Sequence, residues 1–509
     1  MRNIFKNKSA VMFALLAFSL GSCDKGFDEM NINKTAATAI NPIFILNSAT
    51  VNSSFPAGTL FYEVGIVQQM VSPNSGVLTG ANFNQDSRDN TVVNWQRYYR
   101  NVVRNTQDVL LITKDLPARG NLYNMARILQ SYAFMILTDS YGDIPYSEAG
   151  KGYSDQIVLP KYESQQAIYA GIIKELTEAT AALDAAKTVE TADVLYGGDV
   201  AKWKKFGNSL LLRAGMRLSK IDPTQAAQVV AKAVNGGLMS SNADNAFVKH
   251  DANYTNGIGN TLNATEAANV YIGAPFANYL KSTKDPRLKS IAVRYVGVKS
   301  GPEMVASRAN TDPSVQIGMP FGYDNSTISG PVKDLSLASF YDFSQVDRAR
   351  MVKTTAPMFL VTYSQTQLLL AEAVQRGWTT GNVETLFKNG VRAHMEQLAA
   401  YDANSAVAPA DIDAYFVANT FDAAKALEQI NTQYWVSSFL NGPEAFANFR
   451  RSGFPKLTPN PFPGKVIKGN FINRLTYPNS EISVNSVNVK EAIGRQGADD
   501  LDTKVWWDK

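Results

Sequence analysis

The sequence predicts a mainly α protein with few short strands and long irregular loops. Three observations carry that expectation. Apolar residues recur at steps of three and four over most of the chain, only one short stretch alternates, and residues 301–348 break into Gly, Pro, Ser, Asn and Asp. The first spacing lines one face of a helix and the second one face of a strand. Long structureless segments in a compact chain usually carry function.

The first element is a signal. Arg2, Lys6 and Lys8 form a positive start, and Ala10 to Leu20 is an apolar run within the roughly 7–15 residues of a secretory h-region. It is too short to span a bilayer, which takes about 20 residues. Leu20-Gly21-Ser22-Cys23 then supplies a large apolar residue, two small ones and the only cysteine. This tetrapeptide resembles the bacterial lipoprotein box, which implies cleavage before Cys23 and fatty acylation of its sulfur, palmitate included. The alternative is an ordinary cleaved signal followed by a free thiol. More than one acyl chain anchors stably, so the chain is expected to be tethered to a membrane by lipid and not to span it. Residues 1–22 thus read as signal and 23–40, polar and small, as a lipidated tether. With one cysteine no disulfide forms within the chain, and stability must come from burial, which a chain of this length supports.

Asn41-Pro42 reads as a helix start, with Asn capping and Pro at the first helical position. Residues 92–114 follow as a candidate helix. Leu122, Ala126, Leu129, Ala133 and Ile136 share a helical face, ending at "DSYGDIPY", where Gly142 permits a turn. Ile168, Ile172, Leu176, Ala179 and Leu183 mark another helix, and Trp203, Phe206, Leu210 and Ala214 a third. Further candidates cover 264–281, 357–375, 383–398, 423–440 and 443–451. Ile291, Val293 and Tyr295 alternate as a short strand, and "RSGFPKLTPNPFPGKVIKGN" is irregular. No linker and no 34-residue repeat is visible, so 41–509 reads as one unit.

The net charge of +4 includes the three signal cations, and removing them leaves +1. No basic stretch forms a nucleic-acid footprint. Catalytic motifs are absent. His250 and His394 lack ligand spacing and read as structural or surface residues, and there is no GxSxG elbow, phosphate loop or EF-hand-like loop. Gly257-Ile258-Gly259 starts a dinucleotide-like run without its last glycine or a preceding strand. The paired carboxylates of a glycosidase have no fixed sequence spacing, so that chemistry is unsupported by motif without being excluded.

Several segments, in order, resemble the SusD/RagB family of nutrient-binding outer-membrane lipoproteins, in its SusD-like branch. They are "YAFMILTDSYGDIPYSEA", "WKKFGNSLLLRAGMRLS", "DPRL", "LLLAEAVQRGW", "QYWVSSFLNGPEAFANFRRSGFP" and the ending from "RLTYPNSEI" to "VWWDK". The resemblance runs from about residue 27 to the end. Gln365 stands where the family often has glutamate, and Phe446 where tryptophan is common; both read as packing positions. The resemblance implies tetratricopeptide-like helix pairs, with 41–509 as the nutrient-binding domain. It implies an outer-membrane placement facing the cell exterior and a SusC-like TonB-dependent transporter as partner. The cargo would be an oligosaccharide or a peptide, with no cofactor and no catalysis. The runners-up are a surface glycoside hydrolase sharing the lipoprotein signal, and a helical scaffold that binds only protein.

Sugars offer apolar C–H faces and many hydroxyls, so a binding surface needs flat aromatics beside amide, carboxylate or guanidinium groups. Aromatics pre-set on loops lose little entropy on binding. Two regions supply the mixture. "FNQDSRDNTVVNWQRYYRN" offers Arg88 and Trp95, and "MPFGYDNSTISGPVKDLSLASFYDFSQ" offers Phe321, Tyr323, Asp324, Asn325 and Tyr341. Each has a structural alternative. Trp95 shares a face with Tyr99, Val102 and Leu110, and Arg88 reads equally as a solvated loop charge. Trp203, Trp378, Trp435 and the pair Trp506-Trp507 read as core or packing.

Overall fold

The computed structural model describes residues 40–74 and 79–509, with the backbone alone for 59–61 and 79. The signal, Cys23 and nearly all of the tether lie outside the described residues. Pro42–Lys509 forms one compact unit. Its longer helices are α1 (Pro42–Asn52), α2 (Ala57–Ile66), α3 (Arg88–Arg97), α4 (Arg104–Thr113), α5 (Gly120–Tyr141), α6 (Gln165–Ala182), α7 (Val200–Arg217) and α8 (Pro223–Gly236). After these come α9 (Ala274–Ser282), α10 (Tyr363–Gln375), α11 (Val383–Gln397), α12 (Pro409–Ala418), α13 (Ala426–Ser437), α14 (Gly442–Ser452) and α15 (Ser486–Gln496). Among the described residues no helix is long and apolar enough to cross a membrane.

Neighbouring helices stack in sequence. α1 packs on α4, α4 on α5, α5 on α6, α6 on α7 and α7 on α8. The stack continues from α7 to α10, which pairs with α11 and α13, and α14 returns to α13, α2 and α5. Each helix buries a stripe that cannot be satisfied alone, so consecutive pairs must stack, as in helical repeats. The stops are local. α5 ends at Gly142, whose φ of +82° no β-carbon-bearing residue adopts easily. α6, α7 and α8 start on Ser164, Asp199 and Asp222, each side chain accepting from a first-turn amide.

Four expectations need correction. Residues 92–114 are not one α-helix, because Tyr98–Val103 is π-helical between α3 and α4. Residues 264–269 are turns. Asn263 and Asn269 side chains bond nearby carbonyls, and this competition with the backbone breaks the helix before a two-residue strand at Tyr271–Ile272. Met358–Val361, rich in residues suited to strands, pairs with Ala246–Val248, and α10 begins only at a Thr362–Gln365 capping box. Residues 423–425 are a 3-10 turn ahead of α13. α2, α8, α12 and α15 were not foreseen, although Asp222-Pro223 and Ala408-Pro409 are legible starts for α8 and α12. The strand expected around 291–295 is present at Ala292–Tyr295, between Ala309–Asn310 and Gln345–Val346.

Buried ions tie the helices together. Asp139 on α5 accepts from Arg217 Nε (3.1 Å), Tyr169 Oη (2.5 Å) and Trp507 Nε1 (2.9 Å). Arg217 on α7 also donates to Glu444 on α14 (2.6 Å), and Glu444 accepts from Tyr434 on α13 (2.7 Å). Arg451 on α14 forks onto Glu372 on α10 at 2.8 and 2.6 Å. Burial raises the Glu372 carboxyl, but Arg451 and Arg376 outweigh it and bring the pKa down to about 2. His250 and His394 are buried, bonded to Ser54 and Arg287 respectively, with burial the leading cause of their lowered pKa values.

Glu63 on α2 differs. One oxygen accepts from Ser140 (3.2 Å), and the other has no partner among the described residues. Burial pushes its pKa up to about 8, against the lowering effects of Ser140 and Arg450. A carboxyl whose folded pKa is raised stabilises the fold below the unfolded pKa near 4.5, and that stability is lost as pH rises towards 8.

Two outcomes follow from these groups. Glu63→Gln removes about 3 kcal/mol of penalty at pH 7, so its melting temperature exceeds the parent's at pH 7.5 and converges with it near pH 5; parallel pH profiles in differential scanning calorimetry contradict this. Glu444→Gln leaves Arg217 and Arg213, which lie 2.6 and 3.3 Å from that carboxylate, facing a neutral amide, and denaturant unfolding is expected to show a loss of roughly 3–5 kcal/mol, whereas an unchanged midpoint contradicts the tie.

Candidate functional site

Loops gathered over a small sheet form the site. Met70–Val71 pairs antiparallel with Tyr271–Ile272, and Met319 donates its amide to the Ile272 carbonyl (2.9 Å). On this base sits an aromatic cluster of its own, with Tyr271, Met319, Phe321, Ile328, Leu337 and Phe343 buried and Tyr323 and Phe340 half-buried. An adjoining cluster holds Val293, Tyr295, Val298 and Met304, with Tyr341 and Ala268 at its rim. Phe340 and Tyr341 stack at 4.1 Å with planes 30° apart, and Tyr271 meets Phe340 edge-on at 6.2 Å. The backbone amide of Tyr341 donates to Ser339 Oγ, whose hydroxyl donates to the Val298 carbonyl, so the pair is held in place.

Glycine permits the closest approach. Gly322 has φ +90°, and a β-carbon there would lie 2.5 Å from Pro461. The absent side chain lets the Phe321–Tyr323 loop press on the irregular 451–470 segment, which is anchored beyond by Phe462 stacking on Phe83 at 4.3 Å.

Polar groups flank the rings. Arg348 lies over Tyr295 at 5.6 Å and donates to its hydroxyl at 3.3 Å. Asn74 donates to Asn269 (2.6 Å), which donates to Glu266 (3.1 Å). Gln345 donates to the Ala267 carbonyl, and its Oε1 has no partner among the described residues. Asp342 accepts from Arg294 and from the Gly297 amide, fixing the strand end beneath. Burial raises the Tyr271 hydroxyl well above its usual range, so it stays protonated and donates to the Ala268 carbonyl (2.6 Å). Half-buried rings beside guanidinium and amide groups can stack on a flat apolar face and bond hydroxyl or amide groups at its edge. Among the described residues, no group of three or more His, Cys, Asp or Glu is placed to hold a metal ion.

Five of the seven sequence candidates come together here. Phe321 is 8% exposed and supports the cluster from below, while Tyr323 and Tyr341 are half-exposed on it. Asn325 is exposed on the same loop. Asp324 spends one carboxylate oxygen on the amides and hydroxyls of Ser326 and Thr327, which hold its pKa below the usual range. The other two candidates sit in the helical layer. Trp95 is 5% exposed, within an aromatic group of Tyr99, Tyr141, Tyr162 and Tyr477. Arg88 donates to Asp86, to Asp499 and to the Tyr477 carbonyl, clamping the carboxyl-terminal segment. Tyr295, Phe340, Arg348 and Asn269 were not foreseen. Phe340 was legible as the neighbour of Tyr341 in the same loop, whereas Arg348 and Asn269 reach the site only through chain folding.

A profile of the SusD-like family, described as "Starch-binding associating with outer membrane", matches residues 31–478. Among solved structures, a chitin-binding protein is similar at 32% identity, with a TM-score of 0.81 over 92% of this chain and 100% of its own. A SusD-like protein from Bacteroidetes AC2a is 26% identical, with a TM-score of 0.78 over 92% and 100% of the two chains. A SusD homolog from Bacteroides uniformis is 25% identical, with a TM-score of 0.75 over 92% and 98%. No curated protein sequence matches. The order of the buried motifs, the stacked helix pairs and this coverage lead to one conclusion: the chain belongs to the SusD-like family.

Proposed function

We propose that the loop face captures a glycan and that the protein delivers it, unaltered, to a SusC-like TonB-dependent transporter in the outer membrane. In this reading residues 1–22 are removed, Cys23 carries the lipid, residues 23–40 are the tether, and 41–509 faces the cell exterior. The observation that carries it is the stacked Phe340–Tyr341 pair beside half-exposed Tyr323, with Arg348 and Asn269 at the edge. A pyranose ring presents an apolar face of matching size, and rings already held by Ser339 lose little entropy on binding. The family description supports both the carbohydrate class and the membrane. The chitin-binding relative makes oligomers of N-acetylglucosamine the first probes, whose acetamido groups offer a donor and an acceptor to the polar rim.

Peptides remain the second cargo class and enter as a control. In isothermal titration, Tyr341→Ala is expected to weaken binding of the oligosaccharide identified on a glycan array by about tenfold, with Trp95→Phe neutral. Unchanged affinity for Tyr341→Ala contradicts the loop face, and new reducing ends on incubation with the parent protein would favour the hydrolase. For the tether, Cys23→Ser is expected to move the protein from the outer-membrane fraction to the soluble one; retention in the membrane contradicts lipid anchoring.

A further inference from the structure

A second groove, which shares no lining residue with the loop-face clusters, lies between the π-helical turn and the loop after α5. Two adjoining cavities of about 730 and 250 Å³ share Tyr99, Arg100 and Gly150 in their walls. The floor is aromatic. Tyr99 donates its hydroxyl to the Pro145 carbonyl at 2.7 Å and packs on Trp95 at 4.8 Å, so its ring is fixed. Across the opening, Tyr153 stands 94% exposed on a turn flanked by Gly150 and Gly152. The π-helical segment Tyr98–Val103 adds the extra backbone residue that sets Tyr99 and Arg100 facing this space, and such turns recur at functional positions.

The charges, two guanidinium groups and two carboxylates, are unevenly paired. Arg100 and Arg104 are both exposed and one turn apart, a spacing at which like charges repel. Of the carboxylates lining the groove, Asp108 lies beside Arg104 and Glu481 accepts from the Tyr162 hydroxyl (2.9 Å) at the inner end. Arg100 makes no hydrogen bond or ion pair among the described residues. An apolar, aromatic groove with an unanswered guanidinium complements a ring that carries an anion, because charge-assisted bonds to guanidinium are about twice as strong as neutral ones.

We propose that this groove is a second ligand site, selective for a saccharide bearing a carboxylate, with Tyr99 and Tyr153 on the ring and Arg100 on the acid. Asp108 and Arg104 then bond the ring hydroxyls. The site is independent of the loop face, so a polymer with mixed neutral and acidic sugars would be held at two points. Two-point attachment raises the effective affinity without any new contact at either site.

Titration calorimetry on the full mature protein tests it with tetragalacturonate, its methyl ester and tetraglutamate as probes. Tetragalacturonate is expected to bind, with affinity falling as salt rises. Arg100→Gln and Tyr153→Ala are each expected to weaken it by about tenfold, and the methyl ester to bind about tenfold more weakly. Tyr341→Ala is expected to leave tetragalacturonate binding unchanged while reducing neutral-glycan binding, which separates this site from the loop face. No binding of tetragalacturonate overturns the proposal. Equal binding of acid and ester, or unchanged affinity in both groove variants, does the same. Tighter binding of tetraglutamate would assign the groove to acidic peptides instead.

Discussion

The structure depends on a set of ions taken wholly out of water. Asp139, Arg217 and Glu444 join α5, α7 and α14, and Arg451 with Glu372 joins α14 to α10. A single ion at these depths would cost several kcal/mol, so each is tolerated only with its partners in place. The partners come from segments far apart in the chain, and the network therefore forms only when the helices have stacked in their native order. Arg450 extends it to the carboxyl terminus. Its guanidinium lies 3.7 Å from the Phe446 ring centre and 4.9 Å from that of Trp507, and it donates to the Asp139 carbonyl at 2.7 Å. The terminal tryptophan that the sequence marks as packing is thus held by the same aspartate that holds α7.

This arrangement has a consequence for binding. The helical layer is locked by directional contacts, while the loop face is set on a short sheet and held by turn hydrogen bonds such as those of Asp324, Ser339 and Asp342. Rings presented by a rigid frame need no reorganisation when a flat ligand arrives. A surface of that kind suits the capture and release of a flat ligand. Inside the helix stack, Glu372 and Glu444 are held below the usual carboxylate range by the arginines they face, and there they hold the fold.

Much of the helical architecture was legible because its signals are local. Stripes such as Ile168, Ile172 and Leu176 and the stop at Gly142 act within a few residues. The breaks were harder. Met358–Val361 reads as the first turn of a helix until Ala246–Val248 pairs with it, and the π-helical turn at Tyr98 leaves no trace in apolar spacing. The site divides the same way. Tyr323 and Tyr341 stand out as aromatics in a Gly-, Ser- and Asn-rich stretch, whereas the position of Arg348 over Tyr295 depends on how two strands meet. Arg88 and Trp95 show the limit of reading residue type alone. Both have the chemistry of ligand contacts, but Arg88 has its donors bonded within the helical layer, and Trp95 is buried among tyrosines and lines the second groove. The ordered motifs that resemble the family contain the buried ions Asp139, Arg213, Arg217, Asp285, Arg287, Glu372, Glu444 and Arg451. What is recognisable in the sequence is therefore the scaffold more than the ligand.

The central claim is that a rigid helical frame presents a pre-set aromatic loop face to a glycan. Hydrogen–deuterium exchange of the mature protein, with and without the oligosaccharide that binds most tightly on an array, tests it most directly. The account predicts slow exchange in α5, α7, α10 and α14 in both states, and new protection confined to residues 266–271, 295–301 and 321–348 when the ligand is present. Protection that appears elsewhere with these segments unchanged, or rapid exchange of the ion-bearing helices in the free protein, would contradict it.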